Sequence, residues 1–129
     1  GRVVMYTIFC DIDGCIFKNL GSVSAIVKMG EIPTNNYLLP GATEALNKWY
    51  HKGCNIILTT GRPESMRELT DKQLAYFNLF YDKLIMGLNN HPRVLINDDR
   101  EGMTITAHCR TLSRNEGFPS PDLNGLLDI

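Results

Sequence analysis

Two aspartates, Asp11 and Asp13, stand in FCDIDGC (residues 9–15), directly after an apolar run that begins at residue 3. Carboxylates this close repel unless a cation compensates them or one stays protonated. Other polar groups follow apolar runs in the same way: Thr59-Thr60-Gly61-Arg62 after residues 55–58, and Asn97-Asp98-Asp99 after residues 93–96. A divalent cation answers the charge. Oxygen ligands without histidine or cysteine select a hard ion, and Mg2+ usually takes one or two carboxylates, several waters and a phosphate oxygen. The acids therefore imply a phosphate-bearing substrate. Asp11 can then attack phosphorus as a nucleophile, forming an aspartyl-phosphate. Asp13 can protonate the leaving oxygen and afterwards activate water. The Thr60-Gly61 turn offers a hydroxyl and backbone N–H groups at a helix start, an anion site. Arg62 either adds a charge-assisted contact to that anion or pairs with Glu64 or another acid.

Such residues converge only if the right elements carry them. The run at 3–10 ends at the Asp13-Gly14 turn signal and reads as a buried strand. Pro40-Gly41-Ala42 opens a helix whose inner face is Ala42, Ala45, Leu46, Trp49 and Tyr50, and Lys52-Gly53 closes it. Residues 55–59 form a second strand. Pro63 suits the first turn of a helix reaching Phe77, with Met66, Leu69, Leu74 and Phe77 inward. Further strands are expected at 83–86, 93–96 and 102–109. This alternation predicts an α/β fold, a three-layer, Rossmann-like parallel sheet with helices on both faces. In such sheets ligands bind beyond the carboxyl ends of the strands, where Asp11, Asp13, Thr60 and Asp98 would meet.

The chain has 129 residues, which suits one domain, with 15–38 as a small flap or loop insert and 118–129 as an irregular tail. A hydrophobic share of 43% against 21% charged residues is enough to bury a core. The net charge of −1, without a basic block, gives no electrostatic case for nucleic acid or membrane. Cys10, Cys15, Cys54 and Cys109 form no CxxC pair, and His51, His91 and His108 are scattered, so reduced thiols are favoured over a zinc site. Without a signal peptide or a long apolar stretch, the sequence reads as that of a cytoplasmic protein.

Three motifs together carry a resemblance. DIDG at Asp11 to Gly14, ILTTGRP at Ile57 to Pro63 and LINDD at Leu95 to Asp99 resemble, in order and spacing, the haloacid dehalogenase (HAD) superfamily of phosphohydrolases. The resemblance covers roughly residues 4–110. It implies Asp11 as nucleophile and metal ligand, and Asp13 as acid/base whose backbone carbonyl also meets the metal. It implies Thr60, rather than Thr59, as the phosphate-binding hydroxyl, and Asp98, rather than Asp99, as the third Mg2+ ligand. Two positions depart from the pattern. Cys15 stands where Thr or Val is common. Leu88 stands where relatives with a stretch like YDKLIMG continue with lysine, leaving Lys83, Arg93 or no residue to balance the charge. Only twenty-five residues separate Gly14 from Pro40, so no large cap is expected. An open site suits a large substrate, or a small one closed in by a second subunit, and a homo-oligomer is left open.

The expected function is Mg2+-dependent hydrolysis of a phosphomonoester, with a phosphorylated small molecule such as a sugar phosphate as substrate. A nucleic-acid 3′-phosphatase is the less favoured substrate class. A phosphotransferase of the same fold would need water excluded from the site. A catalytically weak binding module is the reading that Leu88 keeps open.

Overall fold

The structure is a computed structural model that describes residues 5–129. In chain order it contains β1 (Thr7–Asp11), α1 (Val23–Met29), a 3-10 turn (Asn35–Tyr37), α2 (Ala42–His51) and β2 (Asn55–Thr59). A second 3-10 turn (Glu64–Met66), α3 (Arg67–Tyr76), β3 (Lys83–Ile85) and α4 (Leu123–Leu127) follow. The strands form a parallel sheet in the order β1-β2-β3, with Asp11 beside Thr59 and Thr59 beside Ile85. The α/β class, the parallel pairing and the lack of a large cap are as the sequence implies. Residues 3 and 4 of the expected first strand lie outside the described residues.

Strand pleating sorts the side chains. Ile56 and Leu58 of β2 and Leu84 of β3 point into one buried cluster, with Ile8 and Cys10 of β1 packed against it. Every helix adds to that cluster: Ile26 from α1; Ala42, Ala45, Leu46 and Trp49 from α2; Leu74 from α3; Leu126 from α4. Two right-handed crossovers that step the same way across a sheet place their helices on the same face. The opposite face carries Phe9, 54% exposed, beside buried Ile57. The buried cluster that the four described helices join lies on the Ile56, Leu58 and Leu84 side.

The insert at 15–38 is more ordered than a flap. Ile16, Phe17, Ile26 and Tyr37 are all buried, and the Phe17 and Tyr37 rings stack with centroids 4.6 Å apart. Ser22 caps α1, its hydroxyl accepting the Ala25 amide. The tail at 118–129 likewise holds α4. The Trp49 indole donates to the Pro121 carbonyl at 2.9 Å, and the Phe118 amide donates to the Pro40 carbonyl.

The strands expected at 93–96 and 102–109 are corrected by the structure. Among the described residues that segment has no ladder beyond an isolated bridge between Arg100 and Met103. Val94 and Ile96 are 85% and 88% exposed. An apolar run becomes a strand only where a neighbour takes up its backbone groups and covers its side chains, and nothing here pairs with residues 93–96.

Candidate active site

Sequence dictates the local geometry at the end of β1. Gly14 adopts φ +94°, open to glycine at little cost. The amides of Cys15, Ile16 and Phe17 converge on the Ile12 carbonyl, while Gly14 donates to Phe17. Ile12, between the two aspartates, is completely buried and anchors the loop. Asp11 stays exposed at the carboxyl edge of the sheet, beside half-buried Thr59. The Asp13 carbonyl oxygen accepts no backbone hydrogen bond among the described residues.

Arg62 is not available to a ligand. Its Nε–H donates to Asp13 Oδ2 at 3.0 Å and one Nη2–H to Asp13 Oδ1 at 2.9 Å, a bidentate fork. The remaining donors go to Thr70 Oγ1 at 3.0 Å, Gln73 Oε1 at 2.8 Å and the Tyr37 hydroxyl at 2.9 Å. All five guanidinium N–H groups are thus spent inside the protein. Of the alternatives open in the sequence, the structure selects pairing with an acid, and that acid is Asp13 rather than Glu64. Glu64 pairs with Arg67 instead. The Arg62 side chain is 1% exposed and that of Asp13 19%, so the fork closes the inner side of Asp13 and leaves its outer side reachable. Burial works against the Arg62 charge, but the bonds and charge of Asp13 outweigh it and raise the guanidinium above its ordinary value.

Sequence reading missed Tyr37, Thr70 and Gln73, the rest of this cradle. The signal for two of them was present. Thr70 and Gln73 are polar residues on the buried stripe of α3, among Met66, Leu69, Leu74 and Phe77. Polar side chains buried on an apolar face need a partner, and Arg62 is that partner. Tyr37 gave no comparable signal, because its position depends on the fold of the insert.

Thr60 is fully buried, and its Oγ1 accepts the Arg62 amide at 3.0 Å. Gly61 is needed here: a Cβ would lie 2.8 Å from both the Asn89 carbonyl oxygen and Asn90 Oδ1. The loop after β3 therefore lies directly over the turn, tied by the Gly87 amide to the Arg62 carbonyl and the Leu88 amide to the Thr60 carbonyl. The same loop carries Arg93, whose guanidinium donates to the carbonyls of Asn89 and His91. The sequence placed Arg93 at the start of a strand, on the edge away from the site. Without that strand, the loop returns it to the carboxyl edge, where its charge reaches Asp11. Lys83, at the start of β3 opposite Ile57, stays toward the other end of the sheet.

Partial burial raises the Asp11 carboxyl above its ordinary value. The Ile12 amide opposes this, Asp13 adds to it, and Arg93 and Arg114 pull it back. Burial, then the charges of Asp11 and Asp13, push the Cys15 thiol up to about 11, so it is a packed thiol and not a nucleophile at neutral pH. Asp98 is exposed on the segment without strands. Among the described residues no three acid, histidine or cysteine side chains gather as a metal-binding group. The structure brings Asp11, Asp13, Thr60, Gly61 and Arg62 together and does not bring Asp98 to them. The Asp11 carboxylate and the Asp13 carbonyl, which accepts no hydrogen bond among the described residues, are oxygen donors of the kind a hard divalent cation takes.

No family model matches the chain, and no curated protein matches it. Among solved structures, the one titled "Structure of Pnkp1/Rnl/Hen1 complex" contains a chain that superposes with a TM-score of 0.53 at 24% identity, covering 73% of this chain and 32% of that one. This chain thus spans about a third of that neighbour's length. A target protein from Vibrio cholerae gives a TM-score of 0.45 at 18% identity, with 73% and 80% covered. The first likeness establishes a shared α/β fold. No helix among the described residues is long and apolar enough to cross a membrane.

Proposed function

We propose that the protein is a Mg2+-dependent phosphomonoesterase of the HAD type. One observation carries this reading: at the carboxyl edge of a parallel sheet, Asp11 stands exposed while its neighbour Asp13 is held from behind by a fully engaged arginine. Asp11 is thereby left open to an incoming phosphorus atom while Asp13 is held in one orientation beside it, the placement a nucleophile and an acid/base need.

An Asp11 carboxylate oxygen attacks phosphorus, and the bond from phosphorus to the ester oxygen breaks. Asp13, in its acid form, gives its proton to that departing oxygen. As a carboxylate it then takes a proton from water, whose oxygen attacks the aspartyl-phosphate, freeing phosphate and restoring Asp11. The Arg62 fork fixes the direction from which Asp13 acts. Bound Mg2+, held by Asp11 and the Asp13 carbonyl, would supply charge stabilisation to the phosphoryl oxygens. Asp98 is the proposed third ligand, and this role requires residues 93–99 to close against the edge of β1. Gly61 would contribute its backbone N–H to the phosphate, and Thr60 its hydroxyl if the turn opens. Arg93 takes the charge-balancing role that Leu88 cannot.

The substrate is proposed to be a phosphorylated metabolite such as a sugar phosphate. The open edge also admits a 3′-phosphorylated nucleic-acid end, the second reading. Hydrolysis of p-nitrophenyl phosphate that depends on Mg2+ and disappears in Asp11→Asn supports the proposal. Parental turnover in Asp11→Asn sinks the assignment of the nucleophile, and phosphate binding without turnover by the parent protein favours a binding module. A panel of sugar phosphates, nucleotides and 3′-phosphorylated oligonucleotides separates the substrate classes.

A further inference from the structure

Arg114 is not used by the mechanism above. The structure places it at the mouth of the site. Its Cγ lies 3.4 Å from where a Cβ on Gly14 would be, so its aliphatic stem passes over the glycine that follows Asp13. Its charge acts on Asp11.

The backbone beneath Arg114 is held at several points. The Asn115 amide donates to the Gly14 carbonyl at 2.9 Å, and Asn115 Oδ1 accepts the Asn19 amide at 2.7 Å. Asn115 takes φ +65°, which asparagine tolerates better than most residues. Gly117 lies so close to Pro40 that a Cβ would be 2.2 Å from its carbonyl oxygen, and Phe118 closes the segment by donating to the same oxygen. The side chain on this fixed base is nevertheless exposed. Among the described residues its guanidinium makes no hydrogen bond or ion pair. Arg62 has spent every donor on the protein and Arg93 donates to two carbonyls, whereas Arg114 keeps its whole fork free.

We infer that Arg114 binds the phosphoryl group of the substrate, entering the site from the C-terminal segment. This rests on reading the edge as a phosphomonoester site. Asp13 is balanced internally by Arg62, so Asp11, the proposed ligand Asp98 and an incoming phosphate dianion carry more negative charge than one divalent cation and Arg93 together cancel, and Arg114 supplies the remaining positive charge. A planar guanidinium on a rigid base suits a tetrahedral oxyanion, because little order is lost when the fork engages.

The test compares the parent with Arg114→Ala and Arg114→Lys. Inorganic phosphate is titrated calorimetrically in the presence of Mg2+, and KM and kcat are measured for p-nitrophenyl phosphate. We expect Arg114→Ala to weaken phosphate and raise KM by about tenfold or more, as loss of one charge-assisted bond does. Arg114→Lys should recover part of the loss, and melting temperatures should stay near parental. Parental phosphate affinity and KM in Arg114→Ala overturn the inference and leave the hydrolase reading standing. Equal losses in both variants with lowered melting temperatures also overturn it, since the role is then structural. If the parent binds phosphate through Arg114 but turns nothing over, the hydrolase reading fails and the inference holds. If the parent binds no phosphate, the inference fails.

Discussion

At the scale of single residues, the site separates two aspartates of the same chemical type. Asp13 is clamped by Arg62, and Asp11 has no ion-pair partner among the described residues. The Asp11 carboxyl is raised above its unfolded value, so folding favours its protonated form. That contribution is complete below the ordinary carboxylate range and is lost as pH climbs through the raised value. At neutral pH the Asp11 charge therefore works against the metal-free fold. Asp11→Asn is expected to raise the melting temperature at pH 7 without Mg2+ while turnover falls to background; a lowered melting temperature contradicts this. Arg62→Ala removes one partner of a buried pair and strands Asp13, Thr70 and Gln73. Its expected cost is about 3–5 kcal/mol in urea unfolding, with loss of activity that Lys, lacking the planar fork, restores poorly.

At the scale of elements, two connections decide what the strand ends can do. The loop after β3 covers Gly61 and returns Arg93 to the edge, and the segment 114–118 docks on the loop after β1. Gly117 has φ +84° and no room for a Cβ beside Pro40. Gly117→Ala should cost about 1–3 kcal/mol by thermal denaturation. It should also raise KM, because the base of Arg114 shifts with it. Residues 93–99 pair with no strand among the described residues, and Asn97 and the Asp98 carbonyl bond to Thr106. If Asp98 is the third ligand, adding Mg2+ should slow amide hydrogen exchange in 93–99 well beyond its effect on α4. Equal, small changes in both segments would remove Asp98 from the ligand set.

At the scale of the molecule, the four described helices all feed one buried cluster on a three-stranded sheet, while Phe9, beside Ile57, stays 54% exposed. Among the described residues no large cap closes the edge. Ion binding should stabilise the whole chain through mass action, by about 2.7 kcal/mol at a hundred times the dissociation constant. The measurement is melting temperature against Mg2+ concentration in the parent and in Asp11→Asn, where most of the shift should vanish.

Local pattern determined much of this protein. The strand 55–59, the helix from Ala42 with its inner face, and the approach of Asp11, Asp13 and Thr60-Gly61 to one edge follow from hydrophobic period and turn residues, which act between near neighbours. Only the tertiary structure decided the rest. Arg62 faces inward because α3 brings Thr70 and Gln73, and the insert brings Tyr37, to meet it. Arg93 and Arg114 reach the site through loops whose course no periodicity encodes. Residues 93–96 have the composition of a strand and are not one, because strand pairing needs a partner far away in the chain, and composition alone cannot supply it.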